Sequence, residues 1–181
     1  MYIYLSLGSN LGNRPQNLRE AVSRIECYCA ILQMSHVYES NPMYLPNQPT
    51  FLNMALTCKT SLSLPDILAL AKSIEHAMGR TFDINYIHNG PRIIDIDILF
   101  ASHIEIPLKT EDYITLTTPT LIVPHLRLTE RAFVLYPMRE IQPGFIHPFA
   151  QRTIQDLADA VHDPSCHPIG DLNTLREPAA L

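Results

Sequence analysis

From Tyr2 to Phe100 the apolar residues switch between two spacings, every second residue and every third or fourth. The order of those switches leaves few ways to pack the chain. Ile3, Leu5 and Leu7 alternate with Tyr2, Tyr4 and Ser6 up to Gly8-Ser9-Asn10, the pattern of a half-buried strand that ends in a turn. Asn13 then offers a helix cap, Pro15 sits in the first turn, and Leu18, Ala21, Val22 and Ile25 form one apolar stripe. A second strand is expected over about 31–38, followed by a loop carrying Pro42, Pro46 and Pro49. In 51–58, Leu52, Met54, Leu56 and Cys58 point one way, leaving Phe51, Asn53, Ala55 and Thr57 on the other face. Ser63 and Asp66 form a capping box for a helix with Ile67, Leu68, Ala71, Ile74 and Met78 on its apolar face, and Gly79 can end it. The last strand of the series, 93–100, sets Ile94, Ile96, Ile98 and Phe100 on one face and Asp95 and Asp97 on the other.

Strand, helix, strand, strand, helix, strand is the ferredoxin-like βαββαβ order of an α+β protein, in which both helices cover one face of an antiparallel sheet. The opposite face is then free for a site. Beyond it, 102–124 reads as a hairpin excursion, and 128–141 and 153–161 read as extra C-terminal helices. We expect one domain over 1–161 and a mobile tail over 162–181.

Composition narrows the function. Thirteen basic residues against eighteen acidic ones give a formal net charge of -5, which argues against a broad nucleic-acid surface. A small anion remains possible where a local basic patch and a metal meet. No apolar run nears the roughly 18 residues that span a bilayer, and the first residues lack a signal-peptide layout, so no membrane role and a cytoplasmic location are expected. Cys27, Cys29, Cys58 and Cys166 form no CxxC pair and read as reduced packing residues.

The chemistry concentrates in His88-Asn89-Gly90-Pro91-Arg92-Ile93-Ile94-Asp95-Ile96-Asp97-Ile98-Leu99. Carboxylates two residues apart on a strand lie a few ångströms from each other and suit hard divalent cations. A lone pair of this kind is more often an edge strand guarding against aggregation. Arg92 shifts the balance, since a guanidinium at the mouth of the same strand gives phosphate a bidentate partner beside the metal.

This stretch resembles the signature of the 6-hydroxymethyl-7,8-dihydropterin pyrophosphokinase family. Ser6-Leu7-Gly8-Ser9-Asn10, Phe51-Leu52-Asn53, Glu75 with Gly79-Arg80, Val123-Pro124-His125 and Arg131-Ala132-Phe133 resemble other segments of that family in the same order, over roughly residues 1–160. The resemblance implies transfer of pyrophosphate from ATP to the hydroxymethyl group of the pterin, releasing AMP, in tetrahydrofolate biosynthesis. It assigns Asp95 and Asp97 to two Mg2+ ions, and Arg80 and Arg92 to catalysis beside them. Pro42, Met43, Phe51, Asn53 and Phe133 would take the pterin, and an amide suits its donor–acceptor edge. Glu75, Arg80, Arg92, Ile98, His125 and Arg131 would take ATP. Each of these has an ordinary reading too, core packing for the phenylalanines and a solvated charge for the arginines.

Three departures stand out. The loop 81–89 carries no arginine, which implies modest nucleotide affinity or turnover; Lys72 stands where an uncharged amide is common; and Thr120 stands where an arginine approaches adenine. Two rivals are weighed against the enzyme. A nucleotidyltransferase would place Gly-Ser shortly before the carboxylates, whereas Gly8-Ser9 lies more than eighty residues earlier. A catalytically weakened relative that binds pterin or nucleotide to regulate or scaffold a partner rests only on the arginine-poor loop. Physical association with other folate enzymes stays open.

Overall fold

A computed structural model describes residues 1–80, 89–105 and 112–176. The expected order is present: β1 (Tyr2–Ser9), α1 (Arg14–Glu26), β2 (Ala30–Met34), β3 (Val37–Ser40), β4 (Phe51–Lys59), α2 (Leu64–Ala77) and β5 (Asp95–Ser102). Both helix starts form as the sequence requires. Asn13 accepts from the Gln16 amide, and Ser63 and Asp66 close a reciprocal capping box.

The strands form one antiparallel sheet in the order β5-β1-β4-β3, with β2 also paired to β4. The expected second strand is thus two. Ser35 marks the break: its amide donates to Ala55 O (3.0 Å) while its hydroxyl accepts from the Ala55 amide (2.9 Å), so the ladder hands over without an orphaned group.

α1 and α2 cover one face, where Leu18, Ala21, Ile25, Ile67, Ala71 and Ile74 pack on Ile3, Leu5, Leu7, Leu52, Met54, Leu56, Ile96 and Ile98. The other face is only partly free. A single 3-10 turn (Leu128–Glu130), α3 (Ala132–Ile141) and α4 (Ile154–Ala160) pack over its far half, where Tyr4, Ala55, Leu99 and Phe100 meet Val134, Leu135, Met138, Phe145 and Leu157.

Two expectations need correction. Phe100 does not share a face with Ile94, Ile96 and Ile98. Tyr4 pairs with Phe100 but Leu5 pairs with Ile98, so Leu99 is an extra residue, and this bulge turns Phe100 into the α3–α4 side of the sheet. The segment after 161 is not a free tail as far as it is described. β8 (His167–Gly170) adds to the sheet edge beside β3, Leu172 is buried in the α1–α2 core, and Arg19 donates to Leu172 O (2.9 Å). The 102–124 excursion contains a two-stranded hairpin, β6 (Leu116–Thr117) and β7 (Ile122–Val123).

Candidate active site

The site is built where β5 begins. Asp95 and Asp97 point away from the α1–α2 core, because Ile94, Ile96 and Ile98 alternate with them into it. Gly79, at φ +98°, ends α2 in a left-handed turn that returns Arg80 toward the strand. Arg80 then hydrogen-bonds Asp95 Oδ1 and lies 2.9 Å from Glu75 Oε1. Arg92 Nε lies 3.2 Å from Asp95 Oδ2, so each oxygen of Asp95 faces a guanidinium.

Glu75 is completely buried. It accepts from the Ile96 amide (2.9 Å) and from Lys72 Nζ (2.9 Å), fixing the backbone between the two aspartates. The two carboxyls titrate in opposite directions. Burial alone would raise Asp95, but Arg92 and Arg80 outweigh it and hold Asp95 below the usual carboxylate range. Asp97 is pushed up to about 7, by burial first and then by the neighbouring Asp95 charge; among the described residues its ion-pair partner, Arg131 Nη1, is 3.9 Å away. A pair arranged in this way gains from added positive charge.

A pocket of about 500 Å³, its open mouth included, lies beside the pair on the half of the sheet that α3 leaves free. Phe51 forms one wall, with the Arg92 guanidinium 5.1 Å from its ring centroid, and Phe133 another. Asn53 donates to Ser40 Oγ (3.0 Å), which fixes the orientation of its amide. Gly8 forms the floor, where a Cβ would stand 3.1 Å from Asn53 Oδ1. The loop after β3 supplies Asn41, Met43, Tyr44 and Gln48. Asn10 ties that loop to the segment leading into β5: its side chain donates to Gln48 Oε1 (3.0 Å) and accepts from the Arg92 amide (2.7 Å).

A second groove, about 700 Å³ with its open mouth, runs between Leu68 and Lys72 of α2, Ile96, Asp97 and Ile98 of β5, and Pro119, Thr120, His125 and Leu126. Burial and the Arg131 charge push His125 down to about 4, so it presents a neutral ring. Asp97 lines both cavities. Arg131 lies over the Phe133 ring (5.6 Å) and Tyr44 (5.8 Å), and its buried Nε has no hydrogen-bond partner among the described residues.

Among the expected residues, Asp95, Asp97, Arg92, Met43, Phe51, Asn53 and Phe133 line the pocket, and Ile98, His125 and Asp97 line the groove. Pro42 does not, although Asn41 and Met43 on either side do. Glu75 and Arg80 line neither cavity and instead hold Asp95 and the Ile96 amide from behind. His88 lies outside the described residues, as does most of the arginine-poor loop. Sequence reasoning missed Tyr44, Asn41 and Gln48. They stand in a proline-rich loop without periodicity, where no spacing reveals direction. Lys72 and Thr120, marked as departures, both line the groove.

Among the described residues no cluster of three or more His, Cys, Asp or Glu could hold a metal. Two carboxylates do suit a cation such as Mg2+, which takes one or two protein ligands and completes its shell with water and substrate phosphate.

Fold and cleft define a class: a ferredoxin-like α+β chain whose pocket and groove share Asp97, one of a carboxylate pair. Residues 4–143 match the 7,8-dihydro-6-hydroxymethylpterin-pyrophosphokinase (HPPK) family, and the chain belongs to it. It is 40% identical over 140 residues to the 2-amino-4-hydroxy-6-hydroxymethyldihydropteridine pyrophosphokinase of Bacillus subtilis, covering 76% of each chain. It is 38% identical over 154 residues to the protein of that name from Aquifex aeolicus, covering 85% of this chain and 88% of the relative. The folic acid synthesis protein FOL1 of Dictyostelium discoideum is 42% identical over 146 residues, 81% of this chain, which spans only 20% of that longer relative. Wild-type Plasmodium falciparum HPPK-DHPS shares the fold, with a TM-score of 0.62 at 19% identity over 87% of this chain and 44% of that one.

Proposed function

We propose that this chain transfers the pyrophosphoryl group of ATP to the hydroxymethyl group of 6-hydroxymethyl-7,8-dihydropterin, releasing AMP, in tetrahydrofolate biosynthesis. The observation that carries this reading is Asp97, the acidic residue common to the aromatic pocket and the groove. The pterin takes the pocket between Phe51 and Phe133, its edge read by the Asn53 amide. ATP takes the groove, with its phosphates toward Asp95, Asp97, Arg92 and Arg131 and its base toward Ile98, Thr120 and Leu121.

Asp95 and Asp97 would hold Mg2+, two ions in this reading, and the metal would supply positive charge to the attacking and leaving oxygens. The remaining work belongs to the protein. Glu75 and Arg80 fix the direction of Asp95, Arg92 and Arg131 supply positive charge to the phosphates, and the aromatic walls exclude water. The hydroxymethyl oxygen attacks the β-phosphorus and loses its proton to solvent, the bond between the α-phosphate oxygen and the β-phosphorus breaks, and AMP leaves. Neutral His125 contributes a hydrogen bond rather than a charge. No helix among the described residues is long and apolar enough to cross a membrane. A cytoplasmic setting suits its four free thiols, three of them buried.

The test is AMP release from ATP, Mg2+ and the pterin, in the parent and in Asp97→Ala. The expected result is AMP from the parent and a loss of at least about a hundredfold in the variant. A folded parent that binds pterin yet releases no AMP would overturn the reading.

A further inference from the structure

The family match ends at residue 143, yet the chain continues into the back of the pocket. Tyr136 OH on α3 donates to Val161 O (2.8 Å) and accepts from the Asp163 amide (3.3 Å), which turns the segment toward β3. Asp163 Oδ1 accepts from both the Ser165 amide (2.9 Å) and its hydroxyl (2.6 Å). That hydroxyl, its proton committed to Asp163, accepts from the Asn41 amide at 3.2 Å. Asn41 lines the pocket and follows directly on Ser40, the partner of Asn53.

The next residue reaches the other wall. Cys166 is buried with Tyr38 and Ala132, and the pocket aromatic Phe133 packs against this cluster. His167 and Pro168 then pair with Glu39 and Tyr38 along the edge of β3. One short segment thus touches the loop that forms the rim of the pocket and the backing of its aromatic wall.

We propose that residues 161–170 form part of the pterin site, with Asp163, Ser165 and Cys166 as positioning residues for Asn41 and Phe133. Asp163, Ser165 and Cys166 do not themselves line the pocket. A hydroxyl oriented by Asp163 holds the exit of β3 at a fixed height, and the buried thiol fills the space behind Phe133. The loop 41–48 carries Met43, Tyr44 and Gln48 into the pocket and departs from the Asn41 anchor, so slack there spreads to the whole rim.

This inference rests on the pterin reading of the pocket, and the experiment separates the two. Amide hydrogen exchange at Asn41 needs no ligand and is compared in the parent, Ser165→Ala and Ser165→Thr. The same proteins are assayed for the KM of pterin and of ATP. Ser165→Ala should speed Asn41 exchange and raise the pterin KM about three- to tenfold, the effect of losing one hydrogen bond. The ATP KM should not move, kcat should stay within about twofold, and Ser165→Thr should restore the parent values. Cys166→Ala should raise the pterin KM in the same way, and Cys166→Val should refill the space. An unchanged pterin KM in Ser165→Ala overturns the proposal. So does an equal rise in both KM values with a lower Tm, which would be general loosening. A parent that forms no AMP sinks the functional reading alone, and Asn41 exchange then decides whether Ser165 holds the loop.

Discussion

Glu75 shows how much a single side chain carries here. It has no exposed surface, and it accepts from Lys72, Arg80 and the Ile96 amide at once. Glu75→Ala leaves the Arg80 guanidinium, with only 9% of its side chain exposed, short of an anion and strips a partner from the backbone between the aspartates. A loss of about 3–5 kcal/mol in chemical denaturation is expected. Glu75→Gln, which keeps an acceptor for Ile96, should lose less. Gly8→Ala probes the pocket floor instead. The added methyl would stand 3.1 Å from Asn53 Oδ1, so the amide must shift by a few tenths of an ångström. The expected result is a several-fold rise in the pterin KM with stability changed by only about 1 kcal/mol; an unchanged KM would show that Asn53 does not read the ligand. Phe51, Asn53, Asp95 and Asp97 were legible from sequence because a strand alternates its faces. The inward roles of Glu75 and Arg80 were not. Helical spacing marks where α2 ends, but the turn at Gly79 decides which way Arg80 points.

Among the strands, β3 has the partner farthest along the chain and was the least legible. Its neighbour β8 comes from more than a hundred residues later, and no local pattern in His167–Gly170 announces a strand. The break at Ser35 and the bulge at Leu99 also escaped reading, since one extra residue reverses every face beyond it without changing composition. The N-terminal turn of α1 is tied to β3 through Arg14, which lies 3.0 Å from Glu39 Oε1, while Thr50 donates to the same oxygen (2.8 Å). Burial alone would raise the Glu39 carboxyl, but the Thr50 and Arg14 contacts outweigh it and hold it below its ordinary value of 4.5. The unfolded chain therefore takes up the proton first as pH falls. The stabilisation is complete above about 4.5 and is lost as pH drops through the lower folded value. Glu39→Gln should lower Tm at pH 7 and narrow its gap to the parent as the solution is acidified. A gap independent of pH would assign the loss to packing rather than to the charge.

At the scale of the whole molecule, the proposed function asks an acidic chain to bind a more acidic ligand. The formal net charge is -5, and the groove meets the pocket at a carboxylate that already suffers from its neighbour. Arg92, Arg131 and Lys72 provide local positive charge, yet Arg92 faces Asp95 and Lys72 is engaged with Glu75. Free ATP entering this groove would bring its own charges against Asp95 and Asp97. ATP carrying Mg2+ meets the same pair as an attraction. Thermal unfolding should therefore separate the two. At a concentration a hundredfold above its Kd, Mg-ATP should stabilise the fold by about 2.7 kcal/mol, a rise of roughly 5–10 °C in Tm for a chain of this size. ATP with a chelator should move Tm by much less, and Asp97→Ala should erase most of the difference between the two conditions. Equal shifts with and without Mg2+ would mean that the basic side chains alone bind the nucleotide and that the aspartate pair serves another purpose.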